Sequence, residues 1–401
     1  MMNDKDTASN SPPLTVSPVR VFLVFLRLGV TAFGGPAMVA YIREVVVTKR
    51  QWVDDVSFRD GVALCQSIPG ATAMQTAAYS GLRAGGPLGA VAAFLGFGLP
   101  AFMLMVVLSF LYREFQEISV VQSMFSGLRV IVVSIMANAL WSFAEVSLKN
   151  RWDAILGIGT AVFLLAGGPP AAAIFLTAAL GLFLYGKSAS ENRDTSFDGL
   201  EQKSESRALL FLAPFLILLA LIGLLALFTF DRPLFLLGAL MAKIDALAFG
   251  GGYASVPLML HEVVEKRHWL DSTTFMDGIA LGQVTPGPIV ITATFVGFQT
   301  QGLTGAIVAT VAVFAPSFVI LLALVPYFDR LRQHLWFQRA LRGAVVCFVG
   351  LLAFATVKFA LAISWNLVSV VLASFALLTL RQRVDLIWVI LGGSLLSAVL
   401  F

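Results

Sequence analysis

The residues best placed to do chemistry are backbone breakers and charges inside apolar segments, and both come in matched pairs. Phe33-Gly34-Gly35-Pro36 and Phe249-Gly250-Gly251 interrupt two apolar runs, and Gln66-x-x-Pro69-Gly70 and Gln283-x-x-Pro286-Gly287 interrupt the runs that follow them. Glycine and proline inside an apolar helix loosen or break it and release backbone N–H and C=O groups. At the start of a half-helix the released N–H groups and the macrodipole favour an anion. Kinking and close packing are the plainer uses of the same residues, but four breaks at corresponding positions favour a binding pathway.

The charges suggest the same ligand. Arg27 corresponds to Lys243 at an offset of 216, and Arg129 to Arg342 at 213, while Glu145 corresponds to Lys358 with reversed sign. Charges at membrane depth are costly, so they tend to be paired or functional. The four cations Arg27, Arg129, Lys243 and Lys358 outnumber the two acids Glu145 and Asp245, which suits an anionic ligand. Arg129 and Arg342, with the glycine backbones, are read as its ligands, and Glu145 or Asp245 as a proton-coupling acid. Snorkelling to the interface is the alternative for Arg27, Lys243 and Lys358. A further pair, Lys49-Arg50-x-Trp52 and Lys266-Arg267-x-Trp269, reads either as a basic funnel for anions or as an interfacial tryptophan anchor with phosphate-seeking bases.

These residues must be held by membrane helices. Of 401 residues 58% are hydrophobic and 12% charged, with a mean hydropathy of +0.88. Soluble domains run at about 45–50% and about 25%. The apolar segments fall at 19–41, 61–82, 86–111, 121–145, 153–168, 170–186, 208–230, 233–260, 276–298, 303–328, 343–363, 366–380 and 384–401. This predicts an all-α polytopic membrane protein of about 13 transmembrane helices. Residues 1–18 read as a disordered lead, 19–186 as a first repeat, 187–207 as a polar linker, 208–232 as a linking helix and 233–401 as a second repeat. The halves align at offsets of 216 and 217 from Phe33 to Phe102 and from Phe249 to Phe318, too many ordered matches for chance.

With the N-terminus cytoplasmic and every segment crossing, inside loops hold 17 Lys and Arg and outside loops 6, as the positive-inside tendency requires. Seven spans precede the second repeat, so the halves are inverted and the C-terminus is external. Inverted repeats with broken helices are a design of secondary transporters. The dispersed basic residues do not form a nucleic-acid surface. Cys65, Cys347 and three scattered histidines give no metal or disulfide spacing, no cofactor motif or P-loop occurs, and no catalytic constellation is present. A small-anion channel stays open as an alternative, as does the oligomeric state, a homodimer included.

The block Phe33-Gly34-Gly35-Pro36, Trp52, Phe58 to Gly70, Gly81 to Ala90 and Leu99-Pro100 resembles the chromate ion transporter family in its long two-domain form. The second half departs from it at Gly252 and Ala315. The resemblance implies an inner-membrane carrier that expels chromate and confers resistance, driven by the proton-motive force, with sulfate as a competing dianion.

Overall fold

The computed structural model describes residues 16–32, 37–185, 203–382 and 384–400. Gly34, Gly35, Pro36, residues 1–15 of the lead and 187–202 of the linker lie outside the described residues. The elements are helices α1 (Pro18–Thr31), α2 (Ala37–Arg43, continuing as a π-helical segment Glu44–Lys49), α3 (Asp55–Ser67), α4 (Thr72–Phe115), α5 (Ser119–Ser147), α6 (Arg151–Leu165), α7 (Pro170–Leu184) and α8 (Lys203–Phe230). The second half supplies α9 (Arg232–Leu247), α10 (Ser255–Met259, continuing as a π-helical segment Leu260–Lys266), α11 (Ser272–Val284), α12 (Thr292–Leu324), α13 (Phe328–Gln333), α14 (Leu335–Ala362), α15 (Leu367–Arg381) and α16 (Leu386–Leu400). Helices α4 and α12 each consist of two limbs, folded at Gly85-Gly86 and at Gln301-Gly302, where the backbone leaves helical geometry.

Side-chain neighbours fix the direction of each segment. The Val16 amide donates to the Ala84 carbonyl, so α1 begins beside the end of the first limb of α4. Gly29 abuts Phe97 and Pro100, and Gly96 abuts Phe22, so α1 and the second limb run parallel. Gly61 of α3 lies against the ring of Tyr79, so α3 and the first limb run antiparallel about the Pro69-Gly70 break. Arg43 donates to Asp55 at 2.8 Å, which brings the end of α2 back to where α3 starts. That bond, with Arg59 behind it, holds the Asp55 carboxyl below the usual carboxylate range. Both pairs, α1–α2 and α3 with the first limb of α4, therefore enter from one face, turn at mid-depth and return to it.

The second half repeats this from the other face. Gly278 lies against Phe295 and Gly282 against Thr292, folding α11 onto the first limb of α12. Lys243 of α9 reaches Glu262 of the segment that follows α10. Tyr112, near the end of α4, meets Asp277 near the start of α11, and Lys358, near the end of α14, meets Glu265 at 2.7 Å. The mouths of the second pair of hairpins thus lie on the face opposite to the start of α1. The inversion of the halves rests on geometry as well as on charge.

Among the described residues all thirteen apolar segments are helical, but four of them, 19–41, 61–82, 233–260 and 276–298, return to the face they enter from. This corrects the placement of loop 43–59: it lies on the face where α1 begins, not on the opposite one. A broken segment that turns back has the same hydropathy as one that passes through, so loop alternation misplaced it. The correction moves Arg43, Lys49, Arg50 and Arg59 to the face that already holds most of the basic residues. Because 233–260 and 276–298 turn back as well, the correction also moves Lys266 and Arg267 out of the cytoplasmic count to the other face, where among the described loop residues they join Arg113 and Arg232, still a stronger charge asymmetry than straight crossing gives. Cysteines placed at Gln51, Gln116 and His268 test this with an impermeant maleimide. Q116C and H268C should react from one side and Q51C from the other; Q51C reacting with Q116C would restore the straight crossing. The native thiols of Cys65 and Cys347 are buried and should stay silent.

The helices outside the hairpins exchange partners between halves. The α6–α7 hairpin packs on α14, and the α15–α16 hairpin packs on α5, with α5 and α14 side by side between them.

Candidate functional site

Three hairpin tips and the end of α1 meet at mid-depth among the described residues. The Gly70 amide donates to the Ala248 carbonyl at 3.0 Å, and the Gly287 amide donates to the Ala32 carbonyl at 3.2 Å. These bonds are equivalent under the repeat, each linking the Pro-Gly break of one half to the end of the opening helix of the other. Gly70, Gly250, Gly251 and Gly287 have φ of +110, +101, +89 and +119°, which only glycine adopts without strain. The Gly251 backbone lies against the Thr72 hydroxyl, and Gly252 against Ile289 and Val290. The starts of α4, of the segment leading to α10 and of the segment leading to α12 therefore converge.

The helix starts of the molecule are finished in two ways, and those of α1, α5, α7 and α14 share with the tips the lack of a side-chain cap. The N-termini of α3, α6, α9, α11 and α15 are each capped by a side chain, from Asp54, Asn150, Asp231, Asp271 and Asn366. At the tips Ala71, Gly251 and Pro288 occupy the capping positions, and no side-chain cap is made. The first N–H groups of a helix have no intrahelical partner, so the tips present donors and the positive ends of dipoles to whatever occupies the centre.

A cavity of about 860 Å³ leads to this centre. Ala37 and Tyr253, just past the two Phe-Gly-Gly breaks, line its inner end; Asn138, Ser142 and Glu145 of α5 line one wall. Arg381 and Asp385, at the α15–α16 turn, stand at its mouth, on the face where α1 begins. The Arg381 guanidinium lies over the Trp141 ring and 3.9 Å from Glu145, to which the Trp141 N–H also donates. The repeat-related positions of α14, Phe348, Leu351, Leu352 and Ala355, are apolar and buried. The cavity thus lies toward the face where α1 begins, and its repeat-related counterpart is filled by side chains.

The structure brings Pro69, Gly70, Gly250, Gly251, Pro286 and Gly287 to the tips. Gln283 is half-buried there, with its amide 3.5 Å from the Tyr253 hydroxyl, whereas Gln66 is exposed. Asp245 is buried beside Gly70, and Glu145 stands at the mouth of the cavity. Arg129 and Arg342 are not at the tips, which corrects the expectation that they ligate the anion beside the glycines. Arg129 donates twice to Asp277 at 2.7 Å, and Tyr112 donates to the same carboxylate at 2.9 Å. Arg342 donates to Asp153 at 2.8 Å, and Tyr185 completes that group. A buried carboxylate requires such partners, so both guanidinium charges are neutralised.

The excess of cations at depth is corrected in the same way. Lys243 and Arg267 share Glu262, and Lys358 pairs with Glu265, while Arg27 lies on the exposed side of α1. The Lys-Arg pairs lie on opposite faces. Arg50 and Arg267 each lie over their own tryptophan at 5.9 and 5.5 Å, an anchor geometry, while Lys49 and Lys266 remain exposed. Asp277 was within reach of the sequence, since it stands in the repeated Phe-x-Asp-Gly at the position of Asp60. Asp153, Tyr253 and Arg381 carry no repeat signal.

A family model described as chromate transporter matches residues 19–182 and again 235–398. An uncharacterized transporter of Methanocaldococcus jannaschii is 42% identical over 97% of this chain and 94% of its own length. A probable chromate transport protein of Synechococcus elongatus is 30% identical over 89% and 88%, and a chromate transport protein of Cupriavidus metallidurans 31% over 78% and 75%. No solved structure matches the chain. The two matches fall on the two inverted halves whose tips build the site, and on that evidence this multi-pass membrane protein belongs to the chromate transporter family.

Proposed function

We propose that the protein is a secondary carrier that exports chromate across the inner membrane and so confers resistance, driven by the proton-motive force. The observation that carries this reading is the convergence at mid-depth of helix starts that follow glycine breaks, beside a cavity whose inner end is lined by Tyr253 of one of them. A tetrahedral dianion suits converging backbone N–H groups, and a one-sided cavity suits alternating access better than a continuous pore. The glycine backbones at 70, 250, 251 and 287, with Gly34 and Gly35 from the sequence motif, are the proposed ligands. Arg381 at the mouth and the exposed Lys49 supply a positive field that draws the anion in. The positive-inside tendency places the cavity, the N-terminus and loop 43–59 in the cytoplasm and the C-terminus outside. Sulfate, of equal charge and shape, is the expected competitor.

Everted membrane vesicles test the reading. With an acid lumen, chromate should accumulate saturably, and sulfate should inhibit competitively. Absence of chromate accumulation would overturn the substrate, and ohmic anion current in a planar bilayer would replace the carrier with a channel.

A further inference from the structure

Asp245 and Gln75 are both buried completely, and each keeps one oxygen without a hydrogen-bond partner among the described residues, Asp245 Oδ1 and Gln75 Oε1. Their other atoms fix them to the same two stretches of backbone. Asp245 Oδ2 accepts from the Ser317 amide at 2.7 Å, and Gln75 Nε2 donates to the Pro69 carbonyl at 2.7 Å and reaches the Ser317 carbonyl at 3.5 Å. Because Nε2 is held by two carbonyls, the amide orientation is set and Oε1 must be the atom left over. Asp245 Oδ1 itself lies over Gly70. Two oxygens that accept from nothing therefore flank the Pro69-Gly70 tip, one of those that build the anion site.

Leaving buried acceptors unmet is costly, and leaving a buried carboxylate charged without a cation costs more. Asp245 takes part in none of the ion pairs among the described residues. On its own helix, Lys243 turns to Glu262. Helix α12, packed along it, carries no titratable residue from Thr292 to Leu324, and α8 none from 212 to 230. On the segment after α10, His261 and Lys358 engage Glu265, and Arg267 engages Glu262. On the first limb of α4, Tyr79 and Arg83 bond each other near its outer end.

The repeat sharpens the case. The position of Asp245 in the first half is Gly29, pressed against Phe97 and Pro100. The position of Gln75 in the second half is the apolar Ile291, one residue before the Thr292 that matches Thr76. The duplicated scaffold thus holds one such pair, not two.

We propose that Asp245, assisted by Gln75, is the single binding site of the coupling proton. Protonation at Oδ1 removes the buried charge and turns an unmet acceptor into a donor, in contact with the tip that holds the anion. The carboxyl gains and loses a proton; no bond to the anion is made. Because Gly70 lies between the two ligands, proton occupancy is felt directly by the backbone donor at the tip. The inference rests on the proposed chromate carrier.

The test uses the full chain in proteoliposomes with two readings, chromate counterflow at equal pH and chromate accumulation driven by a pH gradient. Asp245→Asn, a neutral mimic of the protonated state, should keep counterflow and lose at least ~10-fold of the gradient-driven accumulation. Accumulation by D245N at the wild-type level would overturn the assignment. If D245N is too unstable to assay, Asp245→Glu decides: a displaced pH midpoint supports the proposal, and the wild-type midpoint overturns it. A sodium gradient that drives accumulation at equal pH would overturn the proton as the ion. Wild-type counterflow with no response to pH would sink the proton site and leave the substrate reading standing, whereas no wild-type counterflow would sink both.

Discussion

Asp277→Ala should lower the thermal unfolding temperature by roughly 3–4 °C, the equivalent of about 3 kcal/mol. The Asp277 carboxylate is wholly buried and receives two hydrogen bonds from Arg129 and one from Tyr112. Truncating it strands a guanidinium and a hydroxyl in apolar surroundings, and breaking a buried pair from one side costs about 3–5 kcal/mol. Arg129 keeps a quarter of its side chain exposed, which puts the cost at the lower end. Replacing both partners, as Arg129→Leu with Asp277→Leu, should recover most of the loss, since a well-packed apolar pair needs no charge balance. Cys65 and Cys347, both fully buried, provide the measurement: a thiol-reactive dye reports their exposure as the protein unfolds in detergent. A double variant as unstable as D277A would show that the group is held by more than its charge balance. The same reasoning applies to Arg342, Asp153 and Tyr185.

Gly70→Ala should reduce transport by at least ~10-fold. At φ +110° an added Cβ is strained, by about 1–3 kcal/mol, and it would overlap the Ser317 side chain beside Asp245. The shift needed to relieve that overlap breaks the hydrogen bond to Ala248 that fixes the tip. Gly287→Ala should act in the same direction but less strongly, because its Cβ would meet only Ala101, at 2.8 Å. Gly159, on α6, has no heavy atom within 4 Å of a built Cβ, so G159A should transport normally and gain about 1 kcal/mol of helix propensity. Initial rates of chromate uptake check all three, and a G70A rate equal to that of G159A would remove the tip from the mechanism.

The breaks were legible in the sequence because glycine and proline act locally: Gly70 and Gly287 break a helix whatever surrounds them. The repeat was legible because Phe-Gly-Gly and Gln-x-x-Pro-Gly recur in order. The course of the chain after a break was not, since hydropathy is indifferent to whether a half-helix goes on or turns back. Contacts such as Gly61 with Tyr79, 18 residues apart in sequence, decide it. Nor were the partners of the buried cations legible, because Asp277 and Arg129 lie in different halves and are joined only by the fold. Asp245 was visible as an acid at depth, but its relation to Gln75 spans 170 residues and required the structure.

The exchange of hairpins between the halves has a consequence for biogenesis. The face of α5 that receives α15–α16 is complete at residue 147, and its cover begins at residue 367. At about 5–20 residues per second of synthesis, that face waits on the order of 10–45 s for the chain that will seal it. The N-terminal half is therefore finished by a hairpin made about 220 residues after α5. A chain truncated before residue 367 would leave the older half of the protein open, within reach of membrane quality control.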